Sequence, residues 1–168
     1  KHIFENMLKI EIGFTVKVDV FVAHSGPKFS YTNKPLGDEF FIASHTLLFE
    51  QGVINQNLKI QKWENIPVFF VTNKNGLFPF DIFASSFFLL TRYEEALPHI
   101  KTDSGYFNFL DSIAYKYNFL EKPIIDIWVF KFYKIMSKSF EEISQSVHGR
   151  PSKEVLLEVH IPYKYIHH

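Results

Sequence analysis

The chain contains no cysteine. Disulfides and thiolate metal sites are therefore excluded, and redox chemistry says nothing about the compartment. It also lacks any excess of charge: 18 Lys plus Arg face 18 Asp plus Glu. Nothing electrostatic then draws the chain to nucleic acid or to an anionic membrane. No apolar run is long enough to span a bilayer, because the longest meets charge at Arg92 too soon. Phosphate loops, dinucleotide-binding glycine fingerprints, nucleophile elbows and internal repeats are all missing. The opening KHIFENMLKI is amphipathic and charged, unlike a secretory leader, so the expected compartment is the cytoplasm. The first residue is Lys1 rather than methionine, and an upstream segment is expected.

Aromatic residues are what the sequence has in plenty. There are 20 Phe and 8 Tyr among 168 residues, ample apolar surface for the core of one domain with a fragment of a second. The chain is organised around FPFDIFASSFFLLTRYEEAL, residues 78–97. Pro79 suits a first helical turn, and Asp81 can cap the helix or complement its dipole. Phe80, Phe83, Ala84, Phe87 and Phe88 share one face, while Ile82, Leu89, Leu90 and Tyr93 form another. A helix apolar nearly all round is a buried helix, so Phe87 is expected in the core. Arg92, Glu94 and Glu95 close it, and Pro98 stops it.

A second long helix is expected at about 123–139. Ile124, Ile125, Trp128, Val129, Phe132 and Met136 form its stripe. Residues Lys1 to Lys9 read as a short helix. Strands are expected at Phe14–Val22, from the alternation of Val16, Val18 and Val20 with Lys17 and Asp19, and at Lys28–Thr32 and Glu39–Ala43. His45–Glu50 suits a short turn or strand, Leu58–Trp63 an edge strand, and Pro67–Val71 a central strand. Asn73–Gly76 reads as a turn, and Leu110–Phe119 as a short helix. The expectation is an α/β fold, a mixed sheet covered by helices including the two long ones at about 79–97 and 123–139. An accessory domain would occupy 1–143. A polar linker at 144–153, with Gly149 and Pro151, would lead to strand character at Val155–Ile161 within a second unit, 154–168.

Each candidate for chemistry competes with a bland reading. Arg92, Glu94 and Glu95 could form an acid/base or ligand site; a charged helix end is favoured. Arg92 is expected to bridge the two long helices through Asp126 or Glu121. His45 follows an apolar strand, where ligand sites lie in many α/β sheets, and the rival role is to cap the next turn. Trp63 could stack on a sugar, whereas Trp128 belongs to the core stripe. His148 lies in the linker. Glu158 and His160, at i and i+2, point to one face of a strand and could hold a divalent metal together with His167 or His168. A solvated tail strand is favoured there.

The segments LLFEQG (47–52), PFDIFASSFFLLTRYEE (79–95) and FLEKPIIDIW (119–128) occur in an order and at a spacing that resemble the N-terminal accessory domain of bacterial polysaccharide-deacetylase-like (NodB-homology) proteins. The resemblance covers roughly residues 1–140. It implies that a deacetylase-like barrel follows, whose first strand carries two aspartates one residue apart, shortly before an aromatic pair similar to Tyr163 and Tyr165. The matching positions here are Glu158 and His160, so neither aspartate, the base or the metal ligand, is kept. The resemblance thus implies a non-catalytic domain that packs on a deacetylase-like partner or positions polysaccharide for it, with no cofactor of its own. A divalent metal would need residues from outside this chain. The rivals are a metal-dependent carbohydrate esterase completed elsewhere and a stand-alone sugar-binding or protein-interaction module.

Overall fold

The structure is a computed structural model that describes residues 1–72 and 78–144. A π-helical segment, His2–Leu8, opens it and buries Ile3, Phe4 and Leu8. The strand expected at Phe14–Val22 does not form. Val18–Ala23 is instead a short helix, α1, with no buried side chain. A strand needs a neighbour for its ladder, and none is beside it. Its backbone bonds locally, Phe21 N–H to the Lys17 carbonyl at 3.1 Å and His24 N–H to the Val20 carbonyl at 3.2 Å. The Lys28 ammonium closes the end by donating to the carbonyls of Phe21, Val22 and His24.

The next two strands fall where the apolar pattern puts them. β1 (Phe29–Thr32) pairs in parallel with β2 (Phe40–Ala43), Phe29 against Phe40 and Tyr31 against Ile42. All four β2 residues are buried, as a continuous apolar run requires. A 3₁₀ turn, Thr46–Phe49, follows. β3 (Gln61–Trp63) and β4 (Ile66–Val68) form an antiparallel hairpin. Its two loop residues, Glu64 and Asn65, both have positive φ, which matches the twist of a tight hairpin. The α/β class holds, with parallel and antiparallel pairing in two separate two-stranded sheets.

β4 ends sooner than its apolar run. Phe69 and Phe70 stay buried, but Phe70 adopts φ 51°, a strained conformation for an aromatic residue, and redirects the chain. Val71 then bridges Phe80 antiparallel, and Asp81 N–H donates to the Phe70 carbonyl at 2.9 Å. The turn expected at Asn73–Gly76 lies outside the described residues. This bridge aims the start of α2 (Ile82–Leu90) into the core. α2 is shorter than the expected 79–97. The Thr91 hydroxyl donates back to the Phe87 carbonyl, Arg92 turns left-handed at φ 52°, and Tyr93–Ala96 continues as a 3₁₀ turn. After α3 (Ile113–Lys116), helix α4 (Ile124–Ser139) matches the expected stripe, burying Ile124, Trp128, Val129, Phe132 and Met136. A last short helix, α5 (Glu141–Ser144), occupies the expected start of the linker.

The core is built from aromatic edges. Trp128 meets Phe69 and Phe80 at centroid distances of 5.6 and 5.3 Å, and Phe132 meets Phe4 and Phe78 at 5.6 and 5.2 Å. Trp128 Nε1–H donates to the Pro67 carbonyl at 3.1 Å, so its one polar group is satisfied. α4 packs on α2 and on the N-terminal segment.

Phe87 corrects an expectation. It is 39% exposed and touches Tyr93 at a ring distance of 6.4 Å, whereas its neighbour Phe88 is buried against Phe69, Phe70 and Tyr93. The stripe Phe83, Phe87, Leu90 is the outward side of α2. Phe88→Ala should cost about 3–5 kcal/mol and Phe87→Ala no more than about 1 kcal/mol, the difference between emptying a core site and trimming a surface one. Urea melts of the two variants measure this, and equal losses would contradict the burial described.

Candidate functional site

The one fully buried carboxylate among the described residues belongs to Asp81, 0% exposed at the entrance of α2. It faces no cation. Four donors hold it instead. Oδ1 accepts from the backbone N–H groups of Phe83 and Ala84, both at 2.9 Å, which caps the helix. Oδ2 accepts from the Tyr31 hydroxyl at 2.6 Å and from His45 N–H at 2.7 Å. One side chain therefore joins β1, the exit of β2 and the start of α2. Burial pushes the Asp81 carboxyl above its ordinary value, against the pull of the four hydrogen bonds. The Tyr31 phenol is raised far above its ordinary value, first by burial and then by the carboxylate beside it.

His45 sits at this junction but takes the bland role. Its Nδ1 accepts from Leu47 N–H at 3.3 Å, capping the 3₁₀ turn, and its ring lies 4.4 Å from that of Phe70. Trp63 is half-buried and committed to packing. Phe78 and Phe80 lie against its ring at 5.4 and 5.8 Å, and the Lys131 ammonium sits 5.1 Å from its centroid. That ammonium also pairs with Glu64.

Arg92, Glu94 and Glu95 are not drawn into one site. The Arg92 side chain is 74% exposed and pairs with Glu95, so the expected bridge to Asp126 or Glu121 is absent. The left-handed turn at Arg92 is the reason: it ends α2 and swings the side chain away from α4. Glu94 goes the other way. Its Oε2 accepts Ile113 N–H at 3.0 Å and, with the Ser112 hydroxyl that accepts Tyr115 N–H at 3.1 Å, caps α3. Burial raises the Glu94 carboxyl.

Residues 1–141 match a family of unknown function, DUF7033. The chain belongs to that family. No curated protein and no solved structure matches it. The DUF7033 match contains the whole Asp81 junction and nearly all the described elements.

Glu158, His160, His148, His167 and His168 lie outside the described residues. Within those described, no three His, Cys, Asp or Glu side chains are placed to hold a metal ion. No described helix of this DUF7033 chain is long and apolar enough to cross a membrane. An open cleft of about 660 Å³ lies between Ser25–Lys28, Asp38–Phe40 and the α4–α5 corner. There the Glu39 carboxylate accepts from the Ser30 hydroxyl and from Leu36 N–H.

Sequence reasoning found that Asp81 could cap a helix. It missed Tyr31, whose only signal was a phenol on the same strand face as Phe29. The junction makes a sharp expectation. Asn at position 81 can keep the two cap bonds, but its amide N–H₂ must meet His45 N–H. Asp81→Asn should cost about 1–3 kcal/mol, the penalty of an orphaned buried donor. The pH dependence has a definite sign. Because the folded-state value is raised, this group's contribution is full below its ordinary 3.8 and declines as pH rises through the folded value. The stability gap between wild type and Asp81→Asn should therefore be widest at low pH and narrow toward neutrality. Paired melts across that range check it; a gap that widens with pH would contradict it.

Proposed function

We propose that this chain is a non-catalytic accessory domain that packs beside a polysaccharide-deacetylase-like domain and positions carbohydrate for it. The observation that carries this reading is the large apolar surface left uncovered. Phe14, Val16, Val18, Val20 and Val22 are all at least 50% exposed, and Phe87 and Leu90 add the outer side of α2. Uncovered patches of this kind mark interaction surfaces. The resemblance of the 47–52, 79–95 and 119–128 segments to an accessory domain supplies the class of partner. The titratable groups with raised values also fit: Asp81 and Glu94 spend their oxygens on backbone and phenol donors, as architectural carboxylates do. The same reading keeps the cytoplasm as the compartment, from the charged first residues.

The test has three readouts. The chain should release no acetate from acetylated oligosaccharides, with or without added zinc. It should bind a separately produced polysaccharide-deacetylase domain in calorimetry. It should bind acetylated oligosaccharide more tightly with that domain present than alone. Zinc-dependent acetate release abolished by His160→Ala would replace this reading with the esterase. Tight sugar binding by the chain alone, with no affinity for the deacetylase domain, would replace it with the stand-alone module.

A further inference from the structure

Segment Phe14–Val22 has a strand's sequence and a helix's backbone. Its large apolar side chains recur at every second position, and Val16 is 99% exposed. α1 holds half of the segment weakly. It has 6 residues, three of them valine, and no side-chain cap at Lys17. Valine disfavours helix, and helices so short are marginal. Around α1, Val18, Val20 and Val22 splay in different directions. In a strand, all five apolar side chains would share one face.

The described chain ends beside this segment. Ser139, Phe140 and Glu141 line the same cleft as Ser25–Lys28, which directly follow α1. Residues 145–154 can span at most roughly 35 Å from there to Val155. The sequence Val155-Leu-Leu-Glu-Val-His-Ile161 alternates in the same way. Val155, Leu157, Val159 and Ile161 fall on one face, with Glu158 and His160 on the other.

We propose that Phe14–Val22 is the docking strand for Val155–Ile161, paired in parallel with Val16 beside Leu157, Val18 beside Val159 and Val20 beside Ile161. For the identity of the partner this rests on the accessory-domain reading, in which Val155–Ile161 opens the deacetylase-like unit. The two units would then share a sheet across their boundary. Charge sets the direction. In the parallel register Lys17 lies beside Glu158, and Asp19 beside His160, an acceptor beside an N–H donor. The antiparallel register that matches the same apolar faces sets Asp19 beside Glu158 and Lys17 beside His160. Like charges on neighbouring strands destabilise, and opposite charges stabilise. Pairing also gives the valines a backbone they prefer and a face to bury.

Because the full chain has no cysteine, engineered pairs report without interference. Four double variants of the full chain decide the register: V16C/L157C and V20C/I161C for parallel, V16C/I161C and V20C/L157C for antiparallel. Under mild oxidation the parallel pairs should close about 10-fold faster, since disulfides form only between Cα atoms some 4.4–6.8 Å apart. Lys17→Glu should slow that closure, and adding Glu158→Lys should restore it. The exposed positions on α1 leave the core untouched, so folding is preserved. Hydrogen exchange on the unaltered chain is the second measurement, with 14–22 and 155–161 protected together. Equal closure of all four pairs, faster closure of the antiparallel pairs, or exchange at coil rates in both segments would overturn the proposal. Absent cross-links with intact binding to a separate deacetylase domain would remove the docking strand and leave the accessory role. Cross-links without that binding would do the reverse.

Discussion

A carboxylate taken wholly out of water without a cation is the constraint on which this fold depends. Burying an ionised group without partners costs several kcal/mol, so Asp81 is tolerable only while all four donors stay in place. Those donors come from three parts of the chain: Tyr31 in β1, His45 after β2, and the first turn of α2. Their mutual position is thereby fixed to hydrogen-bond precision. The Val71–Phe80 bridge and the bond from Asp81 N–H to the Phe70 carbonyl deliver the residue to that point. The left-handed Phe70 is the local strain that this delivery involves.

Packing follows from that placement. With α2 entering the core at Asp81, Phe80, Ile82 and Phe88 are carried inward, and Ser85 Oγ donates to the Phe69 carbonyl at 2.9 Å. α4 then closes the aromatic cluster with Trp128 and Phe132. The structure thus spends its buried polar chemistry on architecture. Its unspent apolar surface lies on α1 and on the outer side of α2, which is where a domain that works by contact would keep it.

Much of this was legible in the sequence where the signal is local. α4 could be read to the residue because Trp128, Val129, Phe132 and Met136 repeat at helical spacing beside lysines. β1 and β2 followed from short apolar runs bounded by turns. Non-local features were not legible. Phe14–Val22 reads as a strand, yet strands exist by pairing, and the described residues offer it no neighbour. α2 is apolar on every side, so periodicity could not say that Phe88 faces in and Phe87 out. Arg92 was expected to pair across helices, but its left-handed φ ends α2 and settles its direction. Tyr31 and Asp81 are separated by 50 residues, and no spacing rule links a phenol to a carboxylate at that distance.

The central claim is that the Asp81 junction opens only when the whole domain does. Native-state amide exchange of His45, Phe83 and Ala84 tests it most directly, because these three N–H groups donate to the carboxylate. Their opening free energies should equal the global unfolding free energy from denaturant melts, and should fall with it as denaturant is added. Exchange of these amides through a local opening, insensitive to denaturant and well below the global value, would contradict the claim.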